Sequence, residues 1–252
     1  MIQIQPVFND KENWLAYAKK RTLKYEILEF SSAYLNQDIA SEQFEWYAGT
    51  GLAASVHGVF MDNCPLSPDG VIREASIRRC RESCRQALRV GAKNVVFHST
   101  ALPFVRGGLE VLWGLDAAEF YEPLAEEYDL NIFIENFNDV DYVPLLNMMK
   151  HVNGDRVKVC LDIGHANYSR HPIAEWFEAL GDHIGYLHVS DNDGRWDDHK
   201  VLGTGTVDFS AADAFYRKKG GNIPLTIEVH SLDELDASIR FLEKNRLFGF
   251  GE

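Results

Sequence analysis

The sequence predicts a single α/β domain folded as a closed (β/α)8 barrel, and three observations carry the prediction. Eight short β-rich runs alternate with helix-like stretches along 252 residues, the arithmetic of eight strand–helix units in ~250 residues. Such strict alternation calls for parallel strands joined by crossover helices. No glycine fingerprint follows the first run, where an open doubly wound sheet would usually carry one.

The elements follow in order. A first run at 2–8 leads to a helix at 10–21, which Asp10 can cap and Asn13-Trp14-Leu15 open. A run at 25–30 precedes a helix at 41–48, and a run at 53–57 precedes the long helix at 71–90, closed by Gly91. That helix carries Arg73, Arg78, Arg79, Arg81, Arg85 and Arg89 against Glu74 and Glu82. Arg78, Arg81, Arg85 and Arg89 share a face, read as the solvated outside of the barrel rather than a nucleic-acid patch. The run at 94–98 leads into a long stretch, 99–115, rich in glycine and aromatics and holding Phe104 and Trp113. A connection of that length reads as a substrate lid over the barrel mouth. Helices at 116–128 and 140–151 flank the run at 131–135. The run at 157–162 is followed by a helix at 172–180, with Pro172 suited to its first turn and Gly181 to its end. Runs at 184–189 and 225–229 and helices at 209–219 and 232–245 complete the eight units.

Composition narrows the class of function. Hydrophobic residues make up 46% and charged residues 25%, which excludes wholesale disorder. No apolar run is long enough to span a membrane, and the opening Met1-Ile2-Gln3-Ile4 lacks the basic and apolar regions of a secretory signal. The four cysteines form no CxxC pair and suit a reducing, cytoplasmic setting. A balance of 25 basic against 38 acidic residues, net −13, argues mildly against nucleic acid as partner.

Six of the eight runs end in a metal-ligand residue: His57, His98, Glu135, Asp162, His188 and Glu228. In a parallel barrel these C-terminal ends all face one mouth, where active sites sit. Carboxylates gathered there would repel one another unless a cation joined them. Imidazole with carboxylate suits Zn, Mn, Co or Fe. Two short motifs enlarge the set: His165 lies three residues past Asp162, and Asp197 and His199 follow the seventh run, alternating in what reads as an extended segment. Nine candidates are too many for one ion and suit up to three. Of the other histidines, His151 and His183 lie at helix ends, His171 precedes a proline, and His230 follows Glu228 by two and could touch the mouth, though it is not taken as a ligand.

The run Cys160-Leu161-Asp162-Ile163-Gly164-His165-Ala166-Asn167 resembles the xylose isomerase-like TIM barrels. So do Leu187 to Gly194, Asp197-Asp198-His199, Leu202 to Gly205 and Pro224 to His230. The resemblance spans nearly the whole chain and joins two branches. In the sugar isomerase and epimerase branch it implies one divalent ion held by Glu135, Asp162, His188 and Glu228. The two glutamates, Glu135 and Glu228, would move a proton through an enediolate, with His165 and the loop residue Arg195 as donors to substrate oxygens. His57, His98 and Trp113 are further candidates for substrate contact. In the endonuclease-IV-type branch it implies three zinc ions on all nine residues and hydrolysis of abasic DNA. Ser99-Thr100 after His98 and Gly58-Val59-Phe60 after His57 depart from that branch. The reading is a metal-dependent sugar isomerase or epimerase with one to three ions (Zn, Mn or Co), a small-molecule partner, no membrane association and possible homo-oligomers. A non-catalytic sugar- or metal-binding barrel is the third alternative, disfavoured by two intact glutamates.

Overall fold

The computed structural model describes residues 1–31, 37–101 and 108–251, with 37–40 by backbone alone. Eight parallel strands close in sequence order: β1 (Ile2–Ile4), β2 (Lys24–Ile27), β3 (Ala53–His57), β4 (Asn94–His98), β5 (Asn131–Glu135), β6 (Val157–Asp162), β7 (Ile184–Val189) and β8 (Leu225–Ile227). β1 pairs with β8, so no sheet edge is left open. The predicted bounds hold at both ends for β3 to β7. β1, β2 and β8 stop earlier than expected, and after β2 the chain tightens into a 3₁₀ turn at Glu29–Ser31.

Around the strands run α1 (Lys11–Arg21), α2 (Gln37–Thr50), α3 (Gly70–Val90), α4 (Leu109–Tyr128), α5 (Val143–Met149), α6 (Ile163–Asn167), α7 (Ile173–Leu180), α8 (Ser210–Lys218) and α9 (Leu232–Asn245). Asp10 does not cap α1 through its side chain; its Oδ1 accepts from the Asn13 amide at 2.7 Å instead. Asp69 does cap α3, accepting from the backbone of Val71 and Ile72, and Gly91 ends that helix at φ 79°, a left-handed backbone that favours glycine. The stretch expected to be a lid is shorter than the sequence suggested, because α4 already begins at Leu109. Residues 102–107 of it, Phe104 among them, lie outside the described residues.

Strand alternation sorts side chains into two sets. Residues such as Ile4, Tyr25, Val95, Phe97, Ile132, Leu161 and Leu187 are fully buried between strands and helices. Burying each such aliphatic side chain contributes roughly 1.5–3 kcal/mol. The other set fills the barrel interior in layers. One layer holds Val96, Phe133, Cys160 and Tyr186 as a small cluster of its own. One pleat further along the same strands stand His98, Glu135, Asp162 and His188. The period of two therefore delivers the predicted polar residues to a common level at the C-terminal mouth.

The arginines of α3 face outward, as expected. Arg81 pairs with Glu127 at 3.2 Å, Arg85 with Glu82 at 2.8 Å, and the Arg89 guanidinium lies 4.3 Å from the Phe44 ring centroid. No helix among the described residues is long and apolar enough to cross a membrane.

Candidate metal centre

Glu135 is the hub of the mouth. Its carboxylate is 1% exposed and meets four imidazoles. His57 Nε2 and His98 Nε2 lie 3.3 and 3.5 Å from Oε2, and His165 Nδ1 and His188 Nδ1 lie 3.2 and 3.4 Å from Oε1. Glu228, one residue past β8, reaches the same level: its Oε1 is 3.2 Å from His188 Nδ1. Asp162 Oδ2 is 4.0 Å from that nitrogen. The remaining pair closes over the top, with Asp197 Oδ2 at 3.2 Å from His165 Nε2 and Asp197 Oδ1 at 2.9 Å from His199 Nε2. All nine sequence candidates thus gather in one chain of contacts.

Local structure aims several of these groups. Asp162 caps the short helix α6: its Oδ1 accepts from the His165 backbone at 2.7 Å, leaving Oδ2 to the mouth. Gly164 lies inside that turn, where a Cβ would stand 2.2 Å from Ser190 Oγ and 3.1 Å from Asp162 Oδ1. His165 Nδ1 lies 2.6 Å from the Asn136 carbonyl and His57 Nδ1 lies 3.0 Å from the Gly58 carbonyl. A carbonyl can only accept, so each imidazole carries its proton there and turns Nε2 inward. His98 is stacked between Phe60 and Phe137, at 4.7 and 4.3 Å between ring centroids.

The loop after β7 is not extended, contrary to expectation. His199 sits at φ 46° and the Asp198 amide donates to the Trp196 carbonyl, so a turn rather than strand alternation brings Asp197 and His199 together. Asp191 holds that loop. Its buried carboxylate accepts from the backbone of Asn192, Gly203, Gly205 and Val207 at 2.8–3.1 Å.

The donor set fits a divalent cation. Four buried side-chain atoms in the mouth make no hydrogen bond among the described residues: Glu135 Oε2, Asp162 Oδ2, His165 Nε2 and His188 Nδ1. Polar atoms buried without partners are costly, and these four belong to imidazoles and carboxylates aimed at one another. Among the described residues, five triads of donor atoms lie within 4.8 Å of one another, including His57–His98–Glu135, Glu135–Asp162–His165 and His165–Asp197–His199.

The charges agree. Burial works against ionised His165 and His188, yet Asp162 beside the first and Glu228, Glu26 and Glu135 around the second raise both well above the usual imidazole range. Burial likewise opposes the Glu135 anion, but His188 and His98 hold it well below the usual carboxylate range. Asp162 is pushed up to about 8, by burial first and by Glu228 and Glu135. His98 falls to about 3 because burial outweighs Glu135. Asp197 outweighs burial at His199 and lifts it to about 9. A bound cation would displace the protons that these carboxylates now retain on their neighbours.

Not every candidate joins the cluster. Arg195 is exposed on the β7 loop beside Trp196, which is 74% exposed. Trp113 lies on α4, where it lines a cavity of about 370 Å³ with Leu66, Pro68, Thr100, Asp139 and Pro144. Glu26 and Gln5 take part without having been singled out by the sequence, and His230, which the sequence places near the mouth, takes part as well. Glu26 and Gln5 contact His188 and Glu228 from below, at 3.0 and 2.6 Å. His230 stacks on His199, 5.6 Å between ring centroids.

Known proteins share this architecture. Residues 21–245 match the family described as xylose isomerase-like TIM barrel. The protein MJ1614 of Methanocaldococcus jannaschii is 28% identical over 202 residues, 77% of this chain and 80% of its own length. The TTHB071 protein of Thermus thermophilus, from a crystal soaked with ZnCl2, superposes with a TM-score of 0.78 at 22% identity, covering 96% of each chain. A D-tagatose 3-epimerase-like protein superposes at 0.74 and 22% identity, covering 88% of this chain and 87% of its own.

Proposed function

The chain belongs to the xylose isomerase-like TIM barrel family, and on that premise we propose that it is a divalent-metal-dependent isomerase or epimerase of a small sugar-like hydroxy-ketone. One observation carries the reading. Glu135 Oε1 and Glu228 Oε1, borne by β5 and by the residue after β8, three strands apart round the barrel, both lie within 3.4 Å of His188 Nδ1. Two carboxylates converging on one ligand atom can flank a substrate carbon placed there. The sugar-epimerase likeness of one structural neighbour supports the substrate class.

Glu135, Asp162, His188 and Glu228 would hold the ion. When bound, it supplies Lewis-acid polarisation of the substrate carbonyl, which acidifies the neighbouring C–H. One glutamate takes that proton, leaving an enediolate, and the other returns a proton to the opposite face. His165, with Nδ1 fixed on Asn136, presents Nε2 to substrate oxygens. His57 and His98 line the same space, with Phe60 and Phe137 stacked on the faces of His98.

Incubating metal-reconstituted protein with a ketose panel in D2O tests the reading. Deuterium should enter the carbon next to the carbonyl. Glu135→Gln and Glu228→Gln should each slow that exchange by about 10²–10⁴-fold at matched metal content. Full exchange in both variants would sink the assignment of the glutamates.

A second reading has its own observation. The triads His57–His98–Glu135 and His165–Asp197–His199 offer two further ion positions, which suits phosphodiester hydrolysis by clustered metals. Elemental mass spectrometry separates the two. About three zinc ions per chain would favour hydrolysis and direct attention to abasic DNA; one ion would favour the epimerase.

A further inference from the structure

Below the mouth, one carboxylate collects four hydrogen bonds. Glu26 is fully buried in β2. Its Oε2 accepts from Thr226 Oγ1 at 3.0 Å and from the Tyr186 hydroxyl, and lies 3.0 Å from His188 Nε2. Its Oε1 accepts from Gln5 Nε2 at 3.0 Å. The same Gln5 nitrogen donates its second proton to Glu228 Oε1 at 2.6 Å.

Chemistry fixes the proton positions. A carboxylate ringed by hydroxyl and amide donors serves as acceptor, so the His188 contact must be an Nε2–H donating to it. The other nitrogen, Nδ1, whose proton a bound cation would displace, is then the one left to face the mouth as ligand. It is this nitrogen that lies 3.2 Å from Glu228 and 3.4 Å from Glu135 without a hydrogen bond of its own. Glu26 therefore touches both ends of the arrangement: His188 directly and Glu228 through Gln5.

We propose that Glu26 is the positioning residue of the metal centre. It fixes the tautomer and ring orientation of His188 so that Nδ1 is the ligand atom, and through Gln5 it fixes the carboxylate of Glu228. The inference rests on reading His188 and Glu228 as metal ligands, and its test needs no substrate. Ligating imidazoles are commonly oriented by a carboxylate on the far nitrogen, and removing that partner lowers metal affinity by about 10–100-fold.

The experiment is ¹⁵N NMR of histidine-labelled, zinc-loaded protein, with zinc affinity measured by chelator competition. Wild-type protein should show His188 protonated at Nε2 and zinc-shifted at Nδ1. Glu26→Leu should lose the fixed Nε2–H signal and about 10–100-fold in zinc affinity. Glu26→Gln keeps an acceptor oxygen for the His188 Nε2–H and should restore that signal, while its amide nitrogen faces Gln5 and leaves zinc affinity between that of Glu26→Leu and wild type. A purely structural role would lower the melting temperature of Glu26→Leu while leaving affinity and the His188 signals unchanged, and that result overturns the proposal. So does zinc on Nε2 in the wild type. Should Glu26→Leu not fold, Gln5→Leu carries the second arm: zinc affinity falls with the His188 signals intact, and unchanged affinity counts against the relay. Absence of sugar turnover alongside the expected spectra would retire the proposed reaction and leave this inference standing.

Discussion

Glu135, Asp162 and His188 stand on strands; Asp197 and His199 stand on a loop. The strand-borne side chains are at most 1% exposed, against 29% and 20% for the loop pair. Strands of a closed barrel are fixed by their neighbours on both sides, so groups at their ends inherit their positions. The loop pair has no such support and depends on a scaffold of its own, the Asp191 carboxylate with its four backbone donors. The same mouth is thus built twice, once by the sheet and once by a single buried anion. The two halves should fail differently.

Saturating zinc should act first on the strand-borne half, and this is the largest expected effect. At a thousandfold excess over Kd it should stabilise the fold by about 4 kcal/mol. Calorimetry with and without chelator measures this, and an unmoved melting temperature would break the account of the orphaned atoms.

A second brace sits under a different loop. Asp139 accepts from Ser99 Oγ at 3.1 Å and from the Phe137 backbone at 3.2 Å, steadying the loop that presses Phe137 on His98. Burial pushes its carboxyl up to about 7. The folded state therefore favours the protonated acid. Its stabilisation is complete below about pH 4 and is lost as pH rises toward 7, on the order of a few kcal/mol. Urea unfolding of Asp139→Asn across pH 4–8 should show a flatter profile than wild type over that window; parallel profiles would remove Asp139 from the account.

Asp191→Asn should weaken the loop half alone. It sets an amide against two backbone donors and should destabilise by about 3 kcal/mol. Hydrogen exchange should quicken through 192–207 while the strand ends stay protected. Uniform loss of protection would mean the two halves are one unit. The smallest effect belongs to His199→Ala, which should lower zinc affinity about tenfold or less, well short of His188→Ala in the same titration.

Much of this is legible in the sequence. The bounds of β3 to β7 can be read because β-branched and aromatic runs end on polar residues, and those endings also locate the mouth. Asp197 and His199 are visible as a motif, but their turn is not, since φ 46° at His199 has no glycine to announce it. Trp113 reads as a loop residue because Gly108 and Gly114 disguise the start of α4. Gly114 is there for packing: a Cβ would lie 2.7 Å from the Met148 backbone. Glu26 escapes notice because it sits mid-strand rather than at a strand end. A charge between Tyr25 and Ile27, both wholly buried, is the available signal. A carboxylate in that inward register must have partners, and only the closed barrel supplies them, from β7, β8 and the end of β1.

The crowding at Gly164 reaches beyond local packing. Any side chain there would collide with Ser190 and push on Asp162, so this position should accept glycine alone in a saturation library selected for metal retention. On the β7 loop, Arg195 and Trp196 face solvent and should tolerate nearly every residue under the same selection. Engineers seeking new substrates on this barrel therefore have a fixed pivot at 164 and free diversity about thirty residues downstream.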